Sequence, residues 1–224
     1  MKRSQINRVI DELIEVADRE GFKLPPFAGW SPEDWKPKDA HYDHIRRTKC
    51  GWDVTDYGSG DFRHKGLVLL TMRNGYPDGS DRPDQKSFCE KIMLVDEQQV
   101  TPTHFHHRKT EDIINRGGGR LVCKVWKATE DEKRSDEHFE LLKDGAVIDC
   151  PPGAEIALDP GESVTFRPRT YHEFWAAKGT GKVLAGEVSS VNDDEQDNRF
   201  LDDVARFPDI EEDEAPRHLL VSDY

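Results

Sequence analysis

The chain has 224 residues and a formal net charge of -13, long enough for one domain with a real core. The acidic balance argues against nucleic acid or an anionic membrane surface as partner, and no apolar run approaches the roughly 20 residues a membrane span needs. The N-terminus lacks an apolar signal core, so the expected location is the cytoplasm.

Ile6, Val9, Ile10, Leu13, Ile14 and Ala17 recur at helical spacing and Gly21 follows as a stop. This predicts an N-terminal helix whose apolar face packs on the domain body or across a homodimer. Pro25, Pro26, Pro32 and Pro37 rule out a long regular element over residues 24–40, where Trp30 and Trp35 are expected to anchor an arm. Residues 1–49 thus read as helix and arm packed on a barrel of residues 50–224, one structural domain in all.

From about residue 50 the pattern turns to strands. Residues 66–75, 90–96, 100–106, 119–127, 154–158, 163–167, 171–176 and 182–190 read as short strands with Gly/Pro turns between them, such as Asp159-Pro160-Gly161. No helical pattern intervenes, which predicts an all-β sandwich or barrel with peripheral loops. Residues 129–140 are charged enough to read as a solvated excursion. The acidic tail over residues 208–216 reads as a loop, after which Leu219, Leu220 and Val221 are expected to return to the sheet. Cys50, Cys89, Cys123 and Cys150 form no Cys-x-x-Cys pair and are expected as free, partly buried thiols.

The chemistry concentrates in residues 101–111, Thr-Pro-Thr-His-Phe-His-His-Arg-Lys-Thr-Glu, which lead into a run of three glycines at residues 117–119. In an extended strand residues i and i+2 share a face, so His104 and His106 aim at one point with Phe105 opposite. Glu111, just past a bend, can swing back to that point. His172 offers a fourth ligand. Three imidazoles and one carboxylate suit a divalent transition metal such as Mn, Fe, Co, Ni or Zn. His107 faces away from that point, and His41, His44, His64, His138 and His218 lie in polar or loop-like contexts that point to no site.

The order His-x-His, Glu, glycine run and downstream Pro168-x-x-x-His172 resembles the two signature segments of the cupin superfamily, which implies a jelly-roll β-barrel. Longer stretches are more specific. Glu90-Lys-Ile-Met, residues 100–106, residues 109–119, Arg167-Pro-Arg-Thr-Tyr-His-Glu-Phe-Trp-Ala and residues 187–194 together resemble the D-lyxose isomerase family. The resemblance runs over most of the chain, including the N-terminal helix and the tail at residues 206–214. It implies a metal-dependent, usually manganese-dependent, isomerase that interconverts D-lyxose with D-xylulose and D-mannose with D-fructose. It also implies His104, His106, Glu111 and His172 as metal ligands, and all four are intact.

Aldose–ketose isomerisation moves a hydrogen between C1 and C2, which calls for a general base beside the metal. Lys109 and Glu187 are the expected acid/base pair. A divalent cation nearby disfavours the lysine's charged form, so Lys109 is expected to be neutral part of the time. Glu187 and Ser189 share a strand face, and Glu187 enters the barrel if that face is inward. Lys91, Lys109, Glu111, Glu187 and Asp194 are expected to meet sugar hydroxyls, Asp193 and Arg199 to form a polar rim, and Phe174 or Trp175 an apolar wall. Ligands for a single ion favour enediol proton transfer over a hydride shift. The rival readings are a cupin Fe(II) dioxygenase, which anaerobic turnover of a sugar would exclude, and a non-catalytic sugar-binding cupin.

Overall fold

The structure is a computed structural model that describes residues 1–205 and 209–224. Arg206, Phe207 and Pro208, part of the tail and of its family resemblance, lie outside the described residues.

The helical periodicity produces α1 (Arg3–Arg19), and the proline-rich arm contains only the short helices α2 (Pro32–Trp35) and α3 (Asp43–Arg47). Ser31 caps α2 through its hydroxyl, and Pro32 occupies the first turn, where a missing N–H costs nothing. Strands follow as β1 (Gly51–Thr55), β2 (Leu67–Arg73), β3 (Phe88–Val95), β4 (Thr101–His106), β5 (Glu111–Gly118), β6 (Leu121–Lys127) and β7 (Phe139–Lys143). The remainder are β8 (Ala146–Cys150), β9 (Ala154–Leu158), β10 (Ser163–Phe166), β11 (Thr170–Ala176), β12 (Val183–Ser190) and β13 (Asn198–Phe200).

The strands form two antiparallel sheets that face each other, a cupin-type jelly roll. The larger runs β1-β2-β3-β12-β5-β10-β7-β8 and the smaller β13-β4-β11-β6-β9. One apolar cluster fills the space between them, with Leu67 and Leu69 from β2, Met93 and Val95 from β3, and Phe174 and Ala176 from β11. A second cluster lies on the outer face of the larger sheet, where Ile6, Ile10 and Leu13 of α1 cover Val68, Leu70, Ile92, Leu94 and Leu184. Being covered on both faces, β2 and β3 are continuous apolar runs rather than alternating ones.

The arm docks by its aromatics. Trp35 is buried, with Trp30 at 5.0 Å on one side and Tyr224 at 4.8 Å on the other. The C-terminal apolar segment does return: Leu220 is buried and bridges Trp52 of β1. All four cysteines are free, and all four are fully rather than partly buried.

Several strands depart from the sequence expectation. β5 begins at Glu111, a stretch with no apolar run, because its outward residues face solvent and its inward ones are largely polar. The charged excursion ends by residue 138, and the β7–β8 hairpin follows it. The glycine run does turn the chain: Gly118 has φ of 86°, and a side chain there would strike the Lys182 carbonyl.

Leu13 is fully buried between α1 and the larger sheet. Leu13→Ala should cost about 2–5 kcal/mol of unfolding free energy in a denaturant titration. A loss below about 0.5 kcal/mol would mean that α1 is not packed as described.

Candidate functional site

The site is assembled across the gap between the sheets. On the smaller sheet, His104 of β4 stands directly opposite His172 of β11, and β4 alternation brings His106 to the same inward face. On the larger sheet, Glu187 of β12 pairs with Lys91 of β3, while Glu111 opens β5 opposite Ser189. The β12 face that carries Glu187 is the one that puts Val183 and Ala185 in the core, so Glu187 does point inward.

The three imidazoles are buried, and one nitrogen from each lies within 4.8 Å of the others, a grouping that could hold a metal ion. Nδ1 of His104 faces the Pro102 carbonyl at 2.7 Å, and Nδ1 of His172 the Thr170 carbonyl at 2.9 Å. A carbonyl only accepts, so each Nδ1 carries the proton and each Nε2 turns a bare lone pair inward. Glu111 Oε1 lies 3.0 Å from His172 Nε2 and 3.4 Å from His106 Nε2, and it is buried without a hydrogen-bond donor. Acceptors packed this closely repel unless something positive lies among them. Separations near 3 Å also suit neighbouring ligands each about 2.1 Å from one ion. The donor set therefore fits a divalent cation.

Beside this cluster runs a buried chain of charges. Lys109 Nζ lies 2.9 Å from Glu111 Oε2 and 2.8 Å from Glu187 Oε1. Lys91 Nζ lies 3.2 Å from Glu187 Oε2 and 3.9 Å from Asp194 Oδ1. Burial works against every one of these charges, and the partners outweigh it. The Lys109 ammonium is held above the ordinary lysine range by Glu111, Glu187 and Asp194, and Lys91 is raised chiefly by Asp194 and Glu187. Glu111 is held well below the carboxylate range chiefly by Lys109, and Glu187 is lowered by Lys109 and Lys91. In the metal-free protein two carboxylates hold the charge of Lys109. Burial is also the main cause that depresses His104 and His106.

Among the other expected residues, Phe174 lines the cavity and Trp175 lies on the opposite face of β11. Arg199 turns outward to Glu132 at 2.8 Å, and Asp193 accepts from backbone N–H groups of its own loop. His107 is exposed against Phe105, and His44 sits by Tyr76 and Lys86, away from the cluster.

Two residues were not singled out from the sequence. Asn192 Oδ1 accepts from Lys91 at 2.7 Å and from Lys109 at 3.4 Å, and its amide donates to Asp194. Asp197 accepts from the backbone N–H groups of Arg108 and Lys109 at 2.9 and 3.0 Å, which holds the bend between the two ligand strands. Asn192 falls inside the 187–194 stretch of the family resemblance, and Asp197 lies just beyond it.

The family described as D-lyxose isomerase matches the chain over residues 1–224. A D-lyxose/D-mannose isomerase of Escherichia coli O157:H7 is 44% identical over 225 residues, covering 100% of this chain and 98% of the relative. One of the same name from Serratia proteamaculans gives the same identity and coverage. Among solved structures, the L-ribose isomerase of Cellulomonas parahominis with L-ribose superposes with a TM-score of 0.61 at 14% identity. That match covers 94% of this chain and 98% of the other, a likeness of fold.

The depressed histidines set an acid limit on the metal-free protein. Unfolded, these imidazoles titrate near 6.5; folded, they take the proton only at lower pH. As pH falls below that value the unfolded state gains protons first, so stability present above it is lost. The thermal midpoint of chelator-stripped protein should fall between about pH 7.5 and about pH 5.5, and His104→Asn should shrink that fall. Equal falls in both proteins would show that the cluster does not set the limit.

Proposed function

The chain belongs to the D-lyxose isomerase family, a family of sugar isomerases, and from that premise we propose that it interconverts D-lyxose with D-xylulose and D-mannose with D-fructose. The reaction is proton transfer between C1 and C2 with one divalent ion, manganese for preference. The observation that carries this reading is the buried Lys109–Glu187 pair, 2.8 Å apart, set beside a ligand cluster for an ion. A binding protein has no use for a carboxylate kept ionised there by two lysines.

His104, His106, His172 and Glu111 would hold the ion, whose chemistry is that of a Lewis acid polarising the sugar carbonyl. Glu187 is the base. It takes the proton from C2 of the aldose and returns it to C1 of the enediol, while the O2 hydroxyl proton passes to O1. Its two oxygens face Lys109 and Lys91, so a sugar oxygen that takes over one lysine frees one carboxylate oxygen for the proton. Lys109 keeps its ammonium beside the oxygens where negative charge develops. Lys91 and Asp194, joined through Asn192, offer a donor and an acceptor to the remaining hydroxyls, and Phe174 contributes an apolar wall.

The described residues gather ligands for one ion, which supports proton transfer over a hydride shift. Among the described residues no helix is long and apolar enough to cross a membrane. Four buried free thiols support a reducing cytoplasm, and a homodimer completes the proposal.

Chelator-stripped protein should lose isomerase activity and regain it with Mn²⁺, on D-lyxose and D-mannose and without oxygen. Metal retained but no ketose formed from either sugar would overturn the isomerase reading. Glu187→Gln should lower kcat by about 10²–10⁴ while the metal content stays at the wild-type level. In deuterated water the product should carry solvent deuterium at C1 or C2. A fully protiated product after many turnovers would count against an exchangeable base.

A further inference from the structure

The cavity at the histidines has room of about 40 Å³, well short of the roughly 300 Å³ at the low end of ligand sites. A sugar bound there must extend elsewhere. A second cavity of about 340 Å³ shares Asp194 with the first, and it falls within the range of about 300–1,000 Å³ usual for ligand sites. Its lining includes Asp53, Thr71, Asn192, Glu195 and Tyr224.

The strand register shows why the two cavities belong together. The inward face of the larger sheet is apolar over Leu67, Leu69, Met93, Val183 and Ala185, and it turns polar in one row. Along that row Glu187 stands opposite Lys91, and Lys91 opposite Thr71. Asp53 stands opposite Leu69, one step diagonal to Thr71 and on the same face. The polar row therefore continues one strand beyond Lys91, to Thr71; Gly51 stands opposite Thr71, and Asp53 flanks the row diagonally. Thr71 is 5% exposed, lines the second cavity, and among the described residues its hydroxyl has no hydrogen-bond partner. The hydroxyl is not sealed off, since the buried side-chain atoms without a partner among the described residues are His106 Nδ1 and Glu111 Oε1, so it opens to the cavity, where a ligand can meet it.

We propose that Thr71 and Asp53 form the subsite for the non-reacting end of the sugar, the hydroxyls at C4 and beyond, and that this subsite sets the preference between hexose and pentose. The proposal rests on the isomerase reading above. The Thr71 hydroxyl can donate or accept, and the Asp53 carboxylate accepts, a pair suited to adjacent sugar hydroxyls. Asn192 and Asp194 join this end to Lys91, so one sugar can span both cavities.

The test is the ratio of kcat/KM on D-mannose to that on D-lyxose in metal-loaded wild type, Thr71→Val, Thr71→Ser and Asp53→Asn. Thr71→Val keeps the shape and removes the hydroxyl. It should lower the ratio about tenfold, as should Asp53→Asn, and Thr71→Ser should keep the wild-type ratio. Binding of the unreactive hexitol D-mannitol, followed by tryptophan fluorescence, should weaken about tenfold in Thr71→Val and not in Thr71→Ser. An unchanged ratio, or an equal loss on both sugars, overturns the subsite while leaving the isomerase reading intact. No turnover of either sugar by wild type removes the premise and the subsite with it.

Discussion

A charge taken out of water must find its opposite within a few ångströms, and the interior of this barrel is arranged around that constraint. Lys109, Lys91, Glu111 and Glu187 are nearly inaccessible to solvent, and each is paired. Removing any one would strand a buried partner, which usually costs more than the pair contributes. The chain of charges is therefore held in one arrangement. It places a carboxylate and an ammonium against the imidazole cluster without leaving either free to swing away.

The sheets hold the chain of charges in place. Each imidazole and each charged group enters from a strand whose other face is fixed by packing: Phe105 and Tyr171 lock the outer side of β4 and β11. α1 and the arm lock the outer side of β1, β2 and β3. A slip of one residue in any strand would exchange a site residue for a core residue. Loops contribute a smaller set of contacts at decisive points. Asp197 holds the bend between the ligand strands, and Asn192 joins the two lysines.

Neutral imidazoles, two ammoniums and three carboxylates leave this pocket close to electrically balanced before any ion enters. A divalent cation would tip it positive, the polarity that a developing oxyanion needs. Binding of the ion and protonation of the histidines thus compete for the same lone pairs, which links metal retention to pH.

The sequence alone determined the features that depend on nearest-neighbour periodicity. The apolar runs of β2, β3 and β12 were legible because they are covered on both faces, and β6 because its apolar residues alternate. His104 and His106 were legible as a pair because alternation along a strand fixes their common side. β5 was not, since a strand with one solvated face and a polar site on the other lacks an apolar pattern; β7 and β8 each send only a few residues such as Phe139, Leu141 and Ile148 to the core. Tertiary structure decided everything that depends on which strand lies beside which. It set His172 opposite His104, Lys91 opposite Glu187 and Thr71 opposite Lys91, and it drew Asn192 and Asp197 inward onto the lysines and the ligand bend. It also brought Glu187, 78 residues on in the chain, onto Lys109. Burial and long-range pairing are properties of the closed barrel, and residue spacing along the chain does not encode them.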